Sequence, residues 1–256
     1  MESFYVSPEH ISADTLTLTG DEAHHCVRVL RKKAGDEILA IDGKGTAYRA
    51  IITDITRESV ECSIKSRTEG MNEPRRQVYL GISLLKHNAK FDIVVEKGTE
   101  LGVCGFVPLV TERSEKQSAN TRRLREIALS ATKQCLRSRV PDIFEPVKLA
   151  DAFELVKTGA VVMAHEKAPQ SSSFGKYLAA HAGVEKLLIL IGPEGGFTDN
   201  ECMASEQKGA QLVSLGVRRL RTETAAIIAA GSATQTEYNF KKGESCVPSP
   251  IGGRTG

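Results

Sequence analysis

The chain has 256 residues, of which 41% are hydrophobic and 26% charged, with a formal net charge of +2. That length accommodates two domains or one large one and buries a substantial core, and the composition excludes a disordered polyelectrolyte or a fibre. The longest apolar run, Leu187–Ile191, is far too short to cross a bilayer, and the opening MESFYVSPEH has neither the basic nor the apolar part of a secretion signal.

The first seventy residues read as short strands. TLTLTG alternates, a short helix follows over Asp21 to Leu30, and DEILAIDGKGTAYRAIITDI forms two strands around an Asp42-Gly43-Lys44-Gly45 turn. SVECSIKS adds another strand, so a small β-barrel over 1–72 is expected. RTEGMNEPRR, polar with Gly70 and Pro74, reads as a linker. From Gln77 strands alternate with helices. QVYLGISLL is a strand, KFDIVVEKGTELG a helix closed by Gly102, VCGFVPLV a strand and NTRRLREIALSATKQCLRS a long helix. AVVMAH and KLLILIG are near-continuous apolar strands of the kind that parallel sheets bury on both faces. Thr198 and Glu201 form a capping box, AQLVSLG is a last strand, and Thr222 opens a helix rich in alanine and isoleucine. This α/β unit is expected over 73–240, with residues 241–256 a disordered tail.

Six cysteines, Cys26, Cys62, Cys104, Cys135, Cys202 and Cys246, are scattered without a C-x-x-C pair. Neither a disulfide framework nor a metal site is expected, and the usage fits the reducing cytoplasm. Charge is uneven: Arg113, Lys116, Arg122, Arg123, Arg125, Lys133, Arg137 and Arg139 face only Glu115 and Glu126 over the same stretch. Such a basic excess suits a polyanion, although a solvated helix face accounts for it equally well. With five Tyr, eight Phe and no Trp, a stacking platform for single strands is not evident.

LLILIGPEGGFTDNE joins a buried strand to a helix through glycines, the usual setting of a nucleotide site. It fits neither G-x-G-x-x-G nor a P-loop. Phosphate loops aim bare N–H groups at an anion, whereas Pro193 removes one and the Glu194 carboxylate repels phosphate. A cationic ligand without phosphate fits better, and S-adenosylmethionine (SAM), with a sulfonium and an ammonium, qualifies; a purely structural turn is the alternative. Further on, LGVRRLRTETAAIIAA places Arg218, Arg219 and Arg221 before a helix, a compact site for an RNA phosphate or an electron-rich base.

Together, HHCVRVLR, FDIVVEKGTELGV, PLVTERS, KQCLRSRVP, IGPEGGF and LGVRRLRTETA resemble the SPOUT superfamily of methyltransferases. They are most similar to its RsmE branch, which methylates N3 of a uridine in small-subunit (16S) ribosomal RNA. The chain departs from the family at Arg219, where a hydrophobic residue is usual, and in the CGF before Pro108. The resemblance implies a PUA-like barrel followed by an α/β domain with a deep C-terminal trefoil knot, SAM as cofactor, and a homodimer whose sites draw on both chains. Implied cofactor contacts are Met163, His165 and Glu166, the loop Ile191, Gly192, Pro193, Glu194, Gly195 and Gly196, and Leu215, Gly216, Leu220, Arg221, Thr222 and Ala225.

Uridine N3 carries a proton at neutral pH, so transfer needs proton removal, a cation to hold the developing negative charge, and placement. Arg221 is the first candidate cation and Arg113 the second. Glu223 is the candidate base, and equally a structural acid in the first turn of its helix. Glu194 orients the loop or meets the cofactor. Arg28, Arg31 and Lys32 in the barrel, with Arg122, Arg137 and Arg139, are candidate RNA contacts. Two other readings stand: a SPOUT ribose 2′-O-methyltransferase, and a ribosome-assembly protein that binds RNA without chemistry. Neither a membrane nor a metal partner is expected.

Overall fold

The computed structural model describes residues 3–155 and 159–235. The expected tail, 241–256, lies outside them.

The N-terminal unit contains β1 (Phe4–Tyr5), β2 (Thr15–Thr19), α1 (Gly20–His24), β3 (Glu37–Ile41), β4 (Thr46–Ile55) and β5 (Ser59–Glu69). Its five strands make one curled sheet in the order β1-β3-β4-β5-β2. Bulges between Arg49 and Ala50 and between Ile52 and Asp54 bend the long β4/β5 ladder, which lets the sheet wrap its apolar face. Leu16, Leu18, Ala40, Ala50, Ile52 and Cys62 fill that face and are at most 1% exposed. The hairpin turn is set by Asp42, whose Oδ1 accepts from the N–H groups of Lys44, Gly45 and Thr46 at 2.8, 3.0 and 2.9 Å. α1 continues into a π-helical turn, His25–Val29, so the helix expected over 21–30 changes pitch halfway.

The second unit follows as β6 (Gln77–Ser83), α2 (Asn88–Glu100), β7 (Gly105–Val110), α3 (Thr121–Gln134), β8 (Asp142–Ile143), β9 (Val147–Lys148), α4 (Leu149–Leu155), β10 (Ala160–Ala164), α5 (Phe174–Ala180), β11 (Lys186–Ile191), α6 (Asp199–Gln207), β12 (Gln211–Val213) and α7 (Thr222–Gln235). The sheet runs β12-β10-β11-β6-β7-β8, with β9 also on β7, and every pairing is parallel. Alternate residues of β11 serve the two faces. Leu187, Ile189 and Ile191 pack with α2, α3, α5 and α7, whereas Leu188 and Leu190 pack with α4 and α6.

The segment read as a linker is firmly held. β5 runs into it as far as Glu69, opposite Thr46. Arg137, 2% exposed, donates to both Glu73 carboxylate oxygens and to the carbonyls of Thr99 and Val103 at the end of α2. Glu73 also accepts from the N–H groups of Ser138 and Arg139. The barrel turn joins this node through Gly45 N–H to the Ser138 carbonyl at 3.1 Å.

Candidate functional site: a cleft at the carboxyl ends of three parallel strands

β10, β11 and β12 end side by side, and the loops that follow them surround a cleft of about 970 Å³. The crevice beyond the carboxyl ends of strands is where open α/β sheets bind ligands.

The loop after β11 owes its shape to its glycines. Gly196 N–H donates to the Pro193 carbonyl at 2.8 Å, and Gly196 adopts φ +68°, a conformation that disfavours a side chain. A Cβ on Gly192 would stand 3.1 Å from the Phe197 nitrogen. The capping box then launches α6: Glu201 N–H donates to Thr198 Oγ1 and Thr198 N–H to Glu201 Oε2. The second Glu201 oxygen accepts from Glu112 N–H at 2.9 Å. This fixes the segment carrying Arg113, whose guanidinium reaches back to the Gly195 carbonyl.

The loop after β12 is held at its root, where Ser214 exchanges backbone hydrogen bonds with Ser172 and Phe174. Beyond Gly216, at φ +125°, the backbone N–H groups of 217–221 have no partner among the described residues and remain open to a ligand edge. Val217 projects with 73% exposure. Arg219 pairs loosely with Glu166 at 3.7 Å across the mouth, and Lys167 with Asp199 at 3.5 Å. Arg218 and Arg221 line the cleft, and neither has an ion-pair partner among the described residues.

Of the expected residues, His165, Glu166, Ile191, Gly192, Pro193, Glu194, Gly195, Gly196, Leu215, Gly216, Leu220, Arg221, Thr222, Ala225 and Arg113 all line this cleft. Two do not. The Met163 side chain is fully buried, in the cluster formed by Val107, Leu188, Leu190 and Phe197 on the far face of the sheet. Glu223 stands behind Lys90, its Oε1 3.7 Å from the ammonium and its Oε2 buried with no hydrogen-bond partner among the described residues. Among the expected RNA contacts, Arg28, Arg31, Arg122 and Arg139 are exposed and Lys32 half-buried. The expectation for Arg137 is corrected: its guanidinium is saturated inside the junction of the two units and has no surface to offer RNA. Unanticipated lining residues include Lys90, Lys167, Asp199 and Ser214. No helix of the described residues is long and apolar enough to cross a membrane.

Comparison with known proteins agrees with this layout. Residues 72–234 match a family model described as an RNA methyltransferase domain, and residues 18–65 match an RNA methyltransferase PUA domain. The chain is 30% identical to ribosomal RNA small subunit methyltransferase E of Bacillus subtilis, over 88% of its own length and 92% of that protein. It is 33% identical to the Synechocystis protein of the same name, over 88% of its own length and 74% of that protein. The crystal structure of the Neisseria gonorrhoeae methyltransferase E bound to S-adenosylmethionine superposes with a TM-score of 0.81 at 29% identity, covering 94% of this chain and 100% of that one. With its transferase segment matched throughout and such relatives along most of its length, the chain belongs to the ribosomal RNA small subunit methyltransferase E family.

Proposed function

We propose that the protein is a SAM-dependent methyltransferase acting on N3 of a specific uridine in small-subunit (16S) ribosomal RNA, in the cytoplasm. The observation that carries this is the Arg221 guanidinium, without an ion-pair partner among the described residues, in a cleft whose loops suit a phosphate-free ligand. The residues present fit that cofactor. The carboxylates of Glu166, Glu194 and Asp199 on the cleft wall hold their cations Arg219, Lys90 and Lys167 only loosely, at 3.7, 3.6 and 3.5 Å, and can turn to a sulfonium or an ammonium. Pro193 withholds the N–H that a phosphate would want, and the open backbone of 217–221 offers hydrogen bonds to a base edge. Bound there, SAM supplies a methyl group on a sulfonium centre, which needs no metal.

The chain's own residues do the rest. Arg221 faces the substrate and holds the negative charge that develops on the uracil oxygens, so the N3 proton leaves to water without a dedicated base. Arg113 keeps the GPEGG loop in place through Gly195, and Glu223 holds Lys90 rather than reaching the substrate. Exposed Arg28, Arg31, Arg122 and Arg139 offer phosphate contacts that position the RNA. A barrel over 1–72 then grips RNA while 73–240 carries the transfer. The deep trefoil knot that the resemblance implies belongs to the same reading. A homodimer is supported by Ile93 on α2 and Ile228 on α7, 46% and 43% exposed on two helices that lie against each other.

Methyl transfer from labelled SAM to small-subunit RNA or assembled subunits, followed by nucleoside analysis, tests the proposal. N3-methyluridine is the expected product. A ribose 2′-O-methyl product would move the protein to another SPOUT chemistry, and RNA binding with no calorimetric heat from SAM would make it a binding module.

A further inference from the structure

One cation in the cleft stands where helix physics disfavours it. Lys90 lies in the first turn of α2, whose dipole presents positive charge to a side chain there. Its ammonium is nevertheless held 3.6 Å from Glu194 Oε1 and 3.7 Å from Glu223 Oε1. Glu194 belongs to the loop after β11 and Glu223 to the first turn of α7, so three separate elements meet on one side chain. The burial is graded: the side chains of Glu223, Lys90 and Glu194 are 16%, 29% and 45% exposed. The other charged groups of this end of the cleft are Arg113, on the Gly195 carbonyl, and Arg221, next to the start of α7.

We propose that Lys90 is a positioning residue for the cofactor: Glu223 anchors its ammonium from behind, and Lys90 in turn fixes Glu194 and the GPEGG loop against the cleft wall. This rests on the reading of the cleft as the SAM site. Two effects oppose each other when Lys90 is removed. The cofactor's positive charge is then drawn to two uncompensated carboxylates, but Glu194 is half-exposed and water screens that gain to about fivefold at most. Against it stands the cost of re-ordering a freed loop when SAM binds, on the order of tenfold for each residue newly fixed. Placement wins.

Calorimetric titration with SAM, paired with steady-state transfer to RNA, tests this. Lys90→Met is expected to weaken SAM binding about tenfold, with the deficit widening as salt rises and the screened gain disappears. Lys90→Arg returns affinity to within about threefold of the parent, because a guanidinium still bridges two carboxylates. Glu223→Gln reproduces the Lys90→Met loss, and the double variant is no worse than either alone, since the residues act as one unit. The double variant also answers for folding, because it leaves no buried charge unpaired. Unchanged or tighter binding by Lys90→Met overturns the proposal, as do losses that multiply in the double variant. So does a Glu223→Gln enzyme with intact SAM affinity, lowered kcat and no acid limb in its pH profile, which would make Glu223 the base. A parent protein giving no heat with SAM would instead sink the cofactor reading of the cleft.

Discussion

Arg221 is the residue on which the proposed chemistry turns, and its surroundings make the expectation specific. It has no carboxylate partner among the described residues, so its removal breaks nothing else. Arg221→Ala should lower kcat by about 100- to 1000-fold, the usual cost of losing a group that stabilises developing charge, while the calorimetric SAM affinity stays within about threefold. An equal loss in affinity would make Arg221 a cofactor ligand instead. A second residue-scale expectation concerns pH. Burial among the barrel strands pushes the Cys62 thiol from 9.0 up to about 12. The unfolded chain therefore gives up this proton near 9, where the folded one keeps it, and stability falls as pH rises from about 9 towards 12. The slope from this thiol approaches about 1.4 kcal/mol per pH unit. Urea unfolding across that range should show it, and Cys62→Ala should show a shallower fall. At this scale the sequence was readable where chemistry is unusual, as in GPEGG and the triple arginine. It was silent where position alone decides. Met163 and Arg137 have ordinary side chains whose burial comes from strand register and domain docking. Lys90 left one faint signal, a cation in the first turn of a helix.

At the scale of elements, periodicity located the strands and helices that carry long apolar patterns. β10 and β11 read as near-continuous apolar runs because both of their faces are covered, and α3 has its buried Leu124 and Ala128 at helical spacing. α4 and α5 went unread, since seven residues span barely two turns and give periodicity too little to work on. Nor does sequence reveal how closely elements approach. Gly98 lies inside α2, where a Cβ would come within 2.7 Å of the Phe106 ring of β7. Gly98→Ala should therefore destabilise by about 1–3 kcal/mol through overpacking, although alanine is the better helix former. Thermal unfolding checks the sign. A rise in melting temperature would mean that Phe106 yields freely and that α2 is not clamped on the sheet.

For the whole molecule, the decisive feature is that the barrel and the transferase sheet share one saturated polar node. Residues 67–76 look like a linker because they are polar and hold Gly70 and Pro74, yet Glu73 lies 12% exposed against a buried guanidinium. Composition cannot show this, because the partner is supplied more than sixty residues later in the chain. The placement separates two kinds of arginine that sequence put in one class. Arg28 and Arg31 are exposed, so Arg28→Ala and Arg31→Ala should each leave stability within about 0.5 kcal/mol and lower the salt slope of RNA binding by about one. Arg137→Met strands the Glu73 carboxylate in the junction and should cost about 3–5 kcal/mol in urea unfolding. Glu73→Gln keeps the shape and one acceptor oxygen but leaves the buried guanidinium without its counter-charge, so it too should destabilise, and binding is compared in protein that circular dichroism shows to be folded. With it, RNA affinity should weaken through loss of barrel alignment while the salt slope stays that of the parent, because no phosphate contact has been removed. A slope steeper by about one in Glu73→Gln, with stability unchanged, would show Arg137 swinging out to meet RNA and would undo the rigid junction.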